Sequence, residues 1–281
     1  MERCRQFARA PLFEETTCEL LRRPSIMRSL YFALPILLAA GCSSRSSPIP
    51  PLEAADARRV VVIELFSSEG CSSCPSADIV LRDLARLGVH GAADIIAIEE
   101  HVDYWNYLGW SDPFSSAVWT ARQRAYAQAM GFRGVYTPQA VIDGQTDVIG
   151  SDKEGILEAV AAAAKRAKAR VLLARDKETL RVTISELPQP LVEADVFFTT
   201  TEEGLSTAVP RGENAGVTVV HAPIARTMEK IGSIRAGETT FVAAKSLPSI
   251  EEAKKSRTKA VVIVQANGKK AILGAASIPF A

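Results

Sequence analysis

"ELFSSEGCSSCPSADIVL", Glu64 to Leu81, joins an apolar run to a helical pattern through two cysteines spaced C-x-x-C. The run that feeds it, Val60 to Phe66, is short, continuous and β-branched, which predicts a strand buried on both faces. The segment that leaves it, Pro75 to Gly88, has proline in its first turn. It carries an apolar stripe at Ile79, Val80, Leu84 and Leu87 and ends at a glycine, which predicts a helix. Further along, Ala93–Val102 reads as a second buried strand and Ser115–Gly131 as a second helix. Pro138–Gly144 reads as a strand, Thr146–Ser151 as its hairpin partner and Asp152–Ala169 as a third helix. This order predicts an α/β layer architecture with a mostly parallel central sheet.

After about residue 170 the texture changes to strand-like runs separated by turns, with Asn267–Gly268 as a hairpin signal. These runs predict a separate antiparallel β domain, sandwich-like, over residues 170–281. Lysines and arginines in the stretch "AAAAKRAKARV" read as the solvated C-terminal end of the third helix.

The chain has 33 basic and 32 acidic residues and a net charge of +1, so no nucleic-acid partner is expected. Hydrophobic residues make up 47% of it, enough for a packed core. All five cysteines fall at or before Cys74, which excludes a disulfide-stapled scaffold.

The N-terminal part reads as an address. From Met27, a basic residue precedes an apolar run, Leu30 to Ala40, that is too short to span a bilayer but suits a signal peptide. "LAAGC" resembles a bacterial lipobox, departing from it at Ala39, and implies lipidation of Cys42. An ordinary cleaved signal is the alternative. Residues 1–26, with acids, proline and two cysteines, fit badly before such a signal, and Met27 is the expected start. The predicted organisation is therefore 1–42 extension and signal or lipoprotein peptide, 43–59 flexible Ser/Pro tether, 60–169 α/β domain and 170–281 β domain. The expected location is the bacterial cell envelope or periplasm, by lipid anchor or by secretion. Disulfides persist there.

A cysteine between a buried strand and a helix N-terminus meets unpartnered backbone N–H groups and the helix dipole, which favour the thiolate. Cys71 is then the attacking sulfur, and Cys74 is placed to resolve a mixed disulfide. The same spacing supplies half of many zinc sites, but no second cysteine pair exists. Two thiolates with His101 would suit a soft metal such as Cu(I). A static structural disulfide is the third possibility.

"GVYTPQAVIDG" places Thr137–Pro138 at the start of a strand. Here residues 60–168 resemble the thioredoxin superfamily. The resemblance implies a thioredoxin-like central sheet with flanking helices, and a cis-proline at Pro138 facing the C-x-x-C. "EEHVDYWNYLGWSDPF" holds five of the chain's 18 aromatic residues between Tyr104 and Phe114. It follows a buried strand, so His101, Asp103, Tyr104 and Trp105 should share a sheet edge with the cysteines. Together with "ARQRAY" and "RGENAG", these motifs resemble a family of secreted thioredoxin-like bacterial proteins of unassigned function.

The leading expectation is an envelope thiol–disulfide oxidoreductase in which Cys71, Cys74, Thr137 and Pro138 act. Glu69, His101, Asp103, Tyr104 and Trp105 are the expected substrate contacts. No cofactor is expected, and the partner is a protein or small thiol/disulfide couple. A metal-binding or delivery protein using Cys71, Cys74 and His101, and a non-catalytic envelope binding module with a structural disulfide, are the alternatives.

Overall fold

Alternation along the first strand sets the layers. In β1 (Arg59–Ser67), Val61, Ile63 and Leu65 enter one core, while Val62 and Phe66 enter cores on the opposite face. Such apolar side chains each contribute about 1.5–3 kcal/mol on full burial. The computed structural model describes residues 59–191, 193–247 and 257–280. The signal peptide, the Cys42 lipidation site and residues 43–58 of the tether lie outside the described residues.

β1 pairs in parallel with β3 (Ala93–His101), from Arg59↔Ala93 to Ser67↔His101. It pairs antiparallel with β4 (Gln139–Ile142), which in turn pairs with β5 (Thr146–Ile149). A two-residue strand, β2 (Val89–His90), adds to β3. Two helices, α1 (Cys74–Leu87) and α3 (Lys153–Ala163), cover one face through Ala77, Leu81, Leu84, Ile156 and Val160. The other face receives α2 (Ala117–Met130) through Trp119 and Tyr126.

The C-terminal strands are β6 (Arg170–Asp176), β7 (Thr179–Ser185), β8 (Glu193–Glu203), β9 (Ser206–Ala208) and β10 (Thr218–Val220). They continue with β11 (Ile224–Arg235), β12 (Phe241–Ser246), β13 (Arg257–Ala266) and β14 (Ile272–Pro279). Here the expectation of a thioredoxin-like α/β core followed by an antiparallel β domain fails. The described residues are mostly β, with fourteen strands against three α-helices. One mixed sheet of nine strands, ordered β14-β13-β8-β11-β3-β1-β4-β5 with β2 on β3, takes strands from both parts of the chain.

The joint is β11. It pairs in parallel with β3 at Ile224↔Glu99 and antiparallel with β8 along its length. Its sequence, "IARTMEKIGSIR", buries only Ile224, Ala225 and Ile234, so neither an apolar run nor clean alternation marks it. A second sheet, β12-β7-β6, packs on the main one through Leu180, Val182 and Ile184 against Val196, Val262 and Val264.

The third helix stops at Ala163, short of the basic cluster. Lys168 beyond it is not a solvated helix end. It is half-buried, pairs with Asp143 at 2.6 Å and donates to the Ile272 carbonyl at 2.8 Å. Among the described residues, no helix is long and apolar enough to cross a membrane.

Candidate functional site

The β1–β3 register brings Ser67 beside His101, so the loops leaving both strands emerge at one sheet edge. The loop after β1 turns at Ser68, whose carbonyl accepts from the Cys71 amide at 3.1 Å, and enters α1 at Cys74. Cys71 and Cys74 are joined by a disulfide, and both are buried, 1% and 0% exposed. The Thr137–Pro138 peptide is cis. The Thr137 hydroxyl donates to the Cys71 sulfur at 3.3 Å, and the Ser73 hydroxyl lies 3.4 Å from the same atom. Trp105 Nε1 in turn donates to Thr137 Oγ1 at 2.8 Å. Trp105 also sits so close to Gly70 that a Cβ there would lie 3.1 Å from the Trp105 Cβ.

Of the residues picked from sequence, Cys71, Cys74, Thr137, Pro138 and Trp105 thus come together. Glu69 is adjacent and turns inward. Its Oε2 accepts from Trp110 Nε1 at 2.6 Å, and its Oε1 lies 3.2 Å from His221 Nε2. Asp103 and Tyr104 serve α2 instead: Asp103 accepts from Thr120 at 2.6 Å, and the Tyr104 hydroxyl donates to Gln123 at 3.0 Å.

His101 belongs to a buried network beside the disulfide loop. Its Nδ1 meets Asp112 at 2.6 Å and its Nε2 meets Glu99 at 2.7 Å. His221 lies 3.4 Å from the same Glu99 oxygen through Nδ1, and the two imidazoles are 5.2 Å apart, with Phe114 packed edge-on against both. The other Glu99 oxygen accepts from the Ala222 amide at 2.6 Å. Asp112 also accepts from the Glu69 amide at 2.9 Å, tying this network to the cysteine loop.

Charge follows from these contacts. Burial alone would lower the His101 pKa, but Asp112 and Glu99 outweigh it and hold it well above the ordinary value. Burial is likewise outweighed at His221, where Glu69 and Glu99 raise the pKa to about 9. Glu99 would rise on burial, but both histidines bring it down to about 2. Asp78, on α1 four residues beyond Cys74, is pushed well above the carboxylate range by burial and by Glu99, though Ser67 donates to it at 2.6 Å.

The fold adds Glu99, Asp112, His221, Asp78 and Trp110 to the site, together with Glu213 and Asn214 of the "RGENAG" motif. Asn214 donates to the carbonyls of Glu69 and Cys71 at 2.8 and 2.9 Å, and Glu213 accepts from the Ser72 amide at 3.1 Å. The "RGENAG" motif therefore clamps the cysteine loop, a role its turn-like composition does not reveal. Asp78 was findable, since i and i+4 share a helix face.

A family of proteins of unknown function, DUF1223, matches residues 62–265. The chain belongs to the DUF1223 family. The matched span runs from β1 to β13 and contains the disulfide, the His–carboxylate network and the clamp. Among solved structures, protein AGR_C_4864 from Agrobacterium tumefaciens is 29% identical with a TM-score of 0.65, covering 79% of this chain and 94% of that one. HBP35 of Porphyromonas gingivalis is similar in fold, at 13% identity and a TM-score of 0.52, covering 79% and 75%. No curated protein matches the sequence.

Proposed function

We propose that this DUF1223 protein exchanges thiols and disulfides through Cys71 and Cys74. The observation that carries the reading is the donor chain Trp105→Thr137→Cys71 Sγ at the N-terminus of α1. Hydrogen-bond donors and a helix dipole aimed at one sulfur favour its thiolate, the reactive species. In the reduced state the Cys71 thiolate attacks a substrate disulfide, and one substrate sulfur leaves as thiolate. Cys74 then attacks Cys71 in the mixed disulfide, which frees the second substrate sulfur and closes the Cys71–Cys74 bond. Two electrons pass to the substrate. Asp78, one helical turn beyond Cys74 and biased toward its protonated form, is the group to manage the Cys74 proton. An envelope location, with a lipid anchor on Cys42, completes the proposal, since that compartment keeps disulfides available.

A static cross-link is the second reading, favoured by the burial of both cysteines. The reduction potential separates the two. Equilibration in glutathione buffers, read by thiol-labelling mass spectrometry, should give a value within about −120 to −270 mV for an exchange centre. A value below about −300 mV is that of a structural disulfide and would end the exchange reading.

A further inference from the structure

The His–carboxylate network is more ordered than a buried ion cluster needs to be. Each imidazole presents one nitrogen to Glu99, His101 through Nε2 and His221 through Nδ1. His101 turns its other nitrogen to the outer carboxylate of Asp112, and His221 turns its own to the Thr207 hydroxyl at 3.3 Å, with a Glu69 oxygen 3.2 Å away. Metal-binding histidines are oriented in this way, with the second ring nitrogen held by an outer hydrogen-bonding group, a carboxylate at His101 and a hydroxyl at His221. Glu99 is fixed as a single-oxygen donor because its other oxygen is held by the Ala222 amide.

We infer that Glu99, His101 and His221 form a binding site for one divalent transition-metal ion, with zinc the best fit. The three donor atoms lie within 4.8 Å of one another, and all three residues are buried. Two ligands about 2.1 Å from a tetrahedral ion stand about 3.4 Å apart. The Glu99–His221 separation already has that value, at 3.4 Å. The Glu99–His101 separation, 2.7 Å, has to open by about 0.7 Å to reach the same value. Two imidazoles and one carboxylate form a borderline donor set that suits zinc, cobalt or iron(II) and leaves a coordination position for a further ligand. His221 also borders a cavity of about 220 Å³ beside α1 and β13, although its side chain and that of Glu99 are closed off from solvent. This set is distinct from a cysteine-ligated one: both sulfurs are spent on each other, and the metal would sit beside the disulfide.

The test is titration of metal-stripped, disulfide-intact full chain with Co²⁺, followed by its visible d–d absorption, and competition with Zn²⁺. One equivalent with a four- or five-coordinate spectrum, displaced by zinc, is expected. His221→Gln and Glu99→Gln should each weaken binding at least tenfold, and Asp112→Asn by 10–100-fold through its effect on His101. Cys71→Ser with Cys74→Ser should leave the stoichiometry at one. Near-UV circular dichroism identifies variants that have lost their fold. If all do, X-ray absorption of the wild-type cobalt complex decides, with two imidazoles in the first shell supporting the site. Absence of stoichiometric binding, a first shell without imidazole, or undiminished binding by folded His221→Gln protein would overturn the inference.

Discussion

The Asn214 side-chain amide donates to the Cys71 carbonyl at 2.9 Å across 143 residues of sequence. With its bond to Glu69 and the Glu213 contact to Ser72, it holds the disulfide loop from outside. Both cysteines are buried, so under the proposed exchange a partner sulfur reaches Cys71 only when the loop moves, and these contacts restrain that loop. Asn214→Ala removes both donors and should destabilise the protein by about 1–3 kcal/mol. Opening becomes easier by a similar order, so the rate of reduction by dithiothreitol should rise about tenfold. The appearance of free thiol under excess reductant gives that rate. A lower Tm with an unchanged rate would show that the clamp supports the fold without gating the sulfur.

Thr137 donates to the Cys71 sulfur and is itself held by Trp105. Thr137→Val keeps the shape and deletes the donor. A hydrogen bond to a charged group contributes about 1.5–3 kcal/mol, and one pKa unit corresponds to about 1.4 kcal/mol. The Cys71 thiol should therefore titrate about one to two units higher in the variant. The pH profile of iodoacetamide alkylation, on a Cys74→Ser background to isolate one thiol, measures it. A superimposable profile would remove Thr137 from the chemistry.

The site was legible where its residues lie close together in sequence, and illegible where the fold assembles it. Cys71 and Cys74 announce themselves by spacing, and Thr137–Pro138 by a dipeptide before a strand pattern. The partners of His101 do not. Glu99 lies two residues away on the same strand and reads as an ordinary strand acid, while His221 arrives from beyond β10. Their meeting depends on β11 joining β3 at Ile224↔Glu99, the one pairing that brings His221 and Ala222 to Glu99. That strand carries Arg226, Glu229, Lys230 and Gly232 and keeps most of its length solvated, so local pattern could not mark it. The missed strand and the mistaken separation of the β part are a single error.

A second buried cluster makes a pH-dependent prediction independent of the disulfide. Arg122 pairs with Glu64 at 2.5 Å and lies 3.4 Å from Glu100, and Tyr126 donates to Glu64. Burial and the Glu64 charge raise Glu100 well above the carboxylate range, with Arg122 opposing them. A group raised in the folded state keeps its proton while the unfolded chain releases one. Its stabilising effect is complete below the unfolded value near 4.3 and is lost as pH rises toward the folded value. Glu100→Gln should remove a slope of up to about 1.4 kcal/mol per pH unit across that window and be more stable than wild type above it. Urea denaturation from pH 4 to 8 resolves this; parallel curves for the two proteins would refute it. Arg122→Met, which strands Glu64 without its cation, should cost about 3–5 kcal/mol at neutral pH.

Gly150 sets the spacing between the two halves of the sulfur site. A Cβ there would lie 2.6 Å from Leu65 Cδ1 and 3.0 Å from the Cβ atoms of both Ala77 and Pro138. Leu65 can rotate away, but the other two atoms are fixed directly to backbone. The methyl must push α1, three residues beyond Cys74, away from the segment that carries Thr137. Gly150→Ala should therefore cost about 1–3 kcal/mol, the usual penalty for overpacking. It should also lengthen the Thr137–Cys71 contact and move the Cys71 pKa in the same direction as Thr137→Val, by a smaller amount. Gly134→Ala provides the comparison, because a Cβ there meets nothing within 4 Å. That variant should stay within about 0.5 kcal/mol of wild type and leave the alkylation profile unmoved. Equal stability of the two variants would show that α1 and the Pro138 segment can separate freely, and that the sulfur geometry does not depend on their spacing.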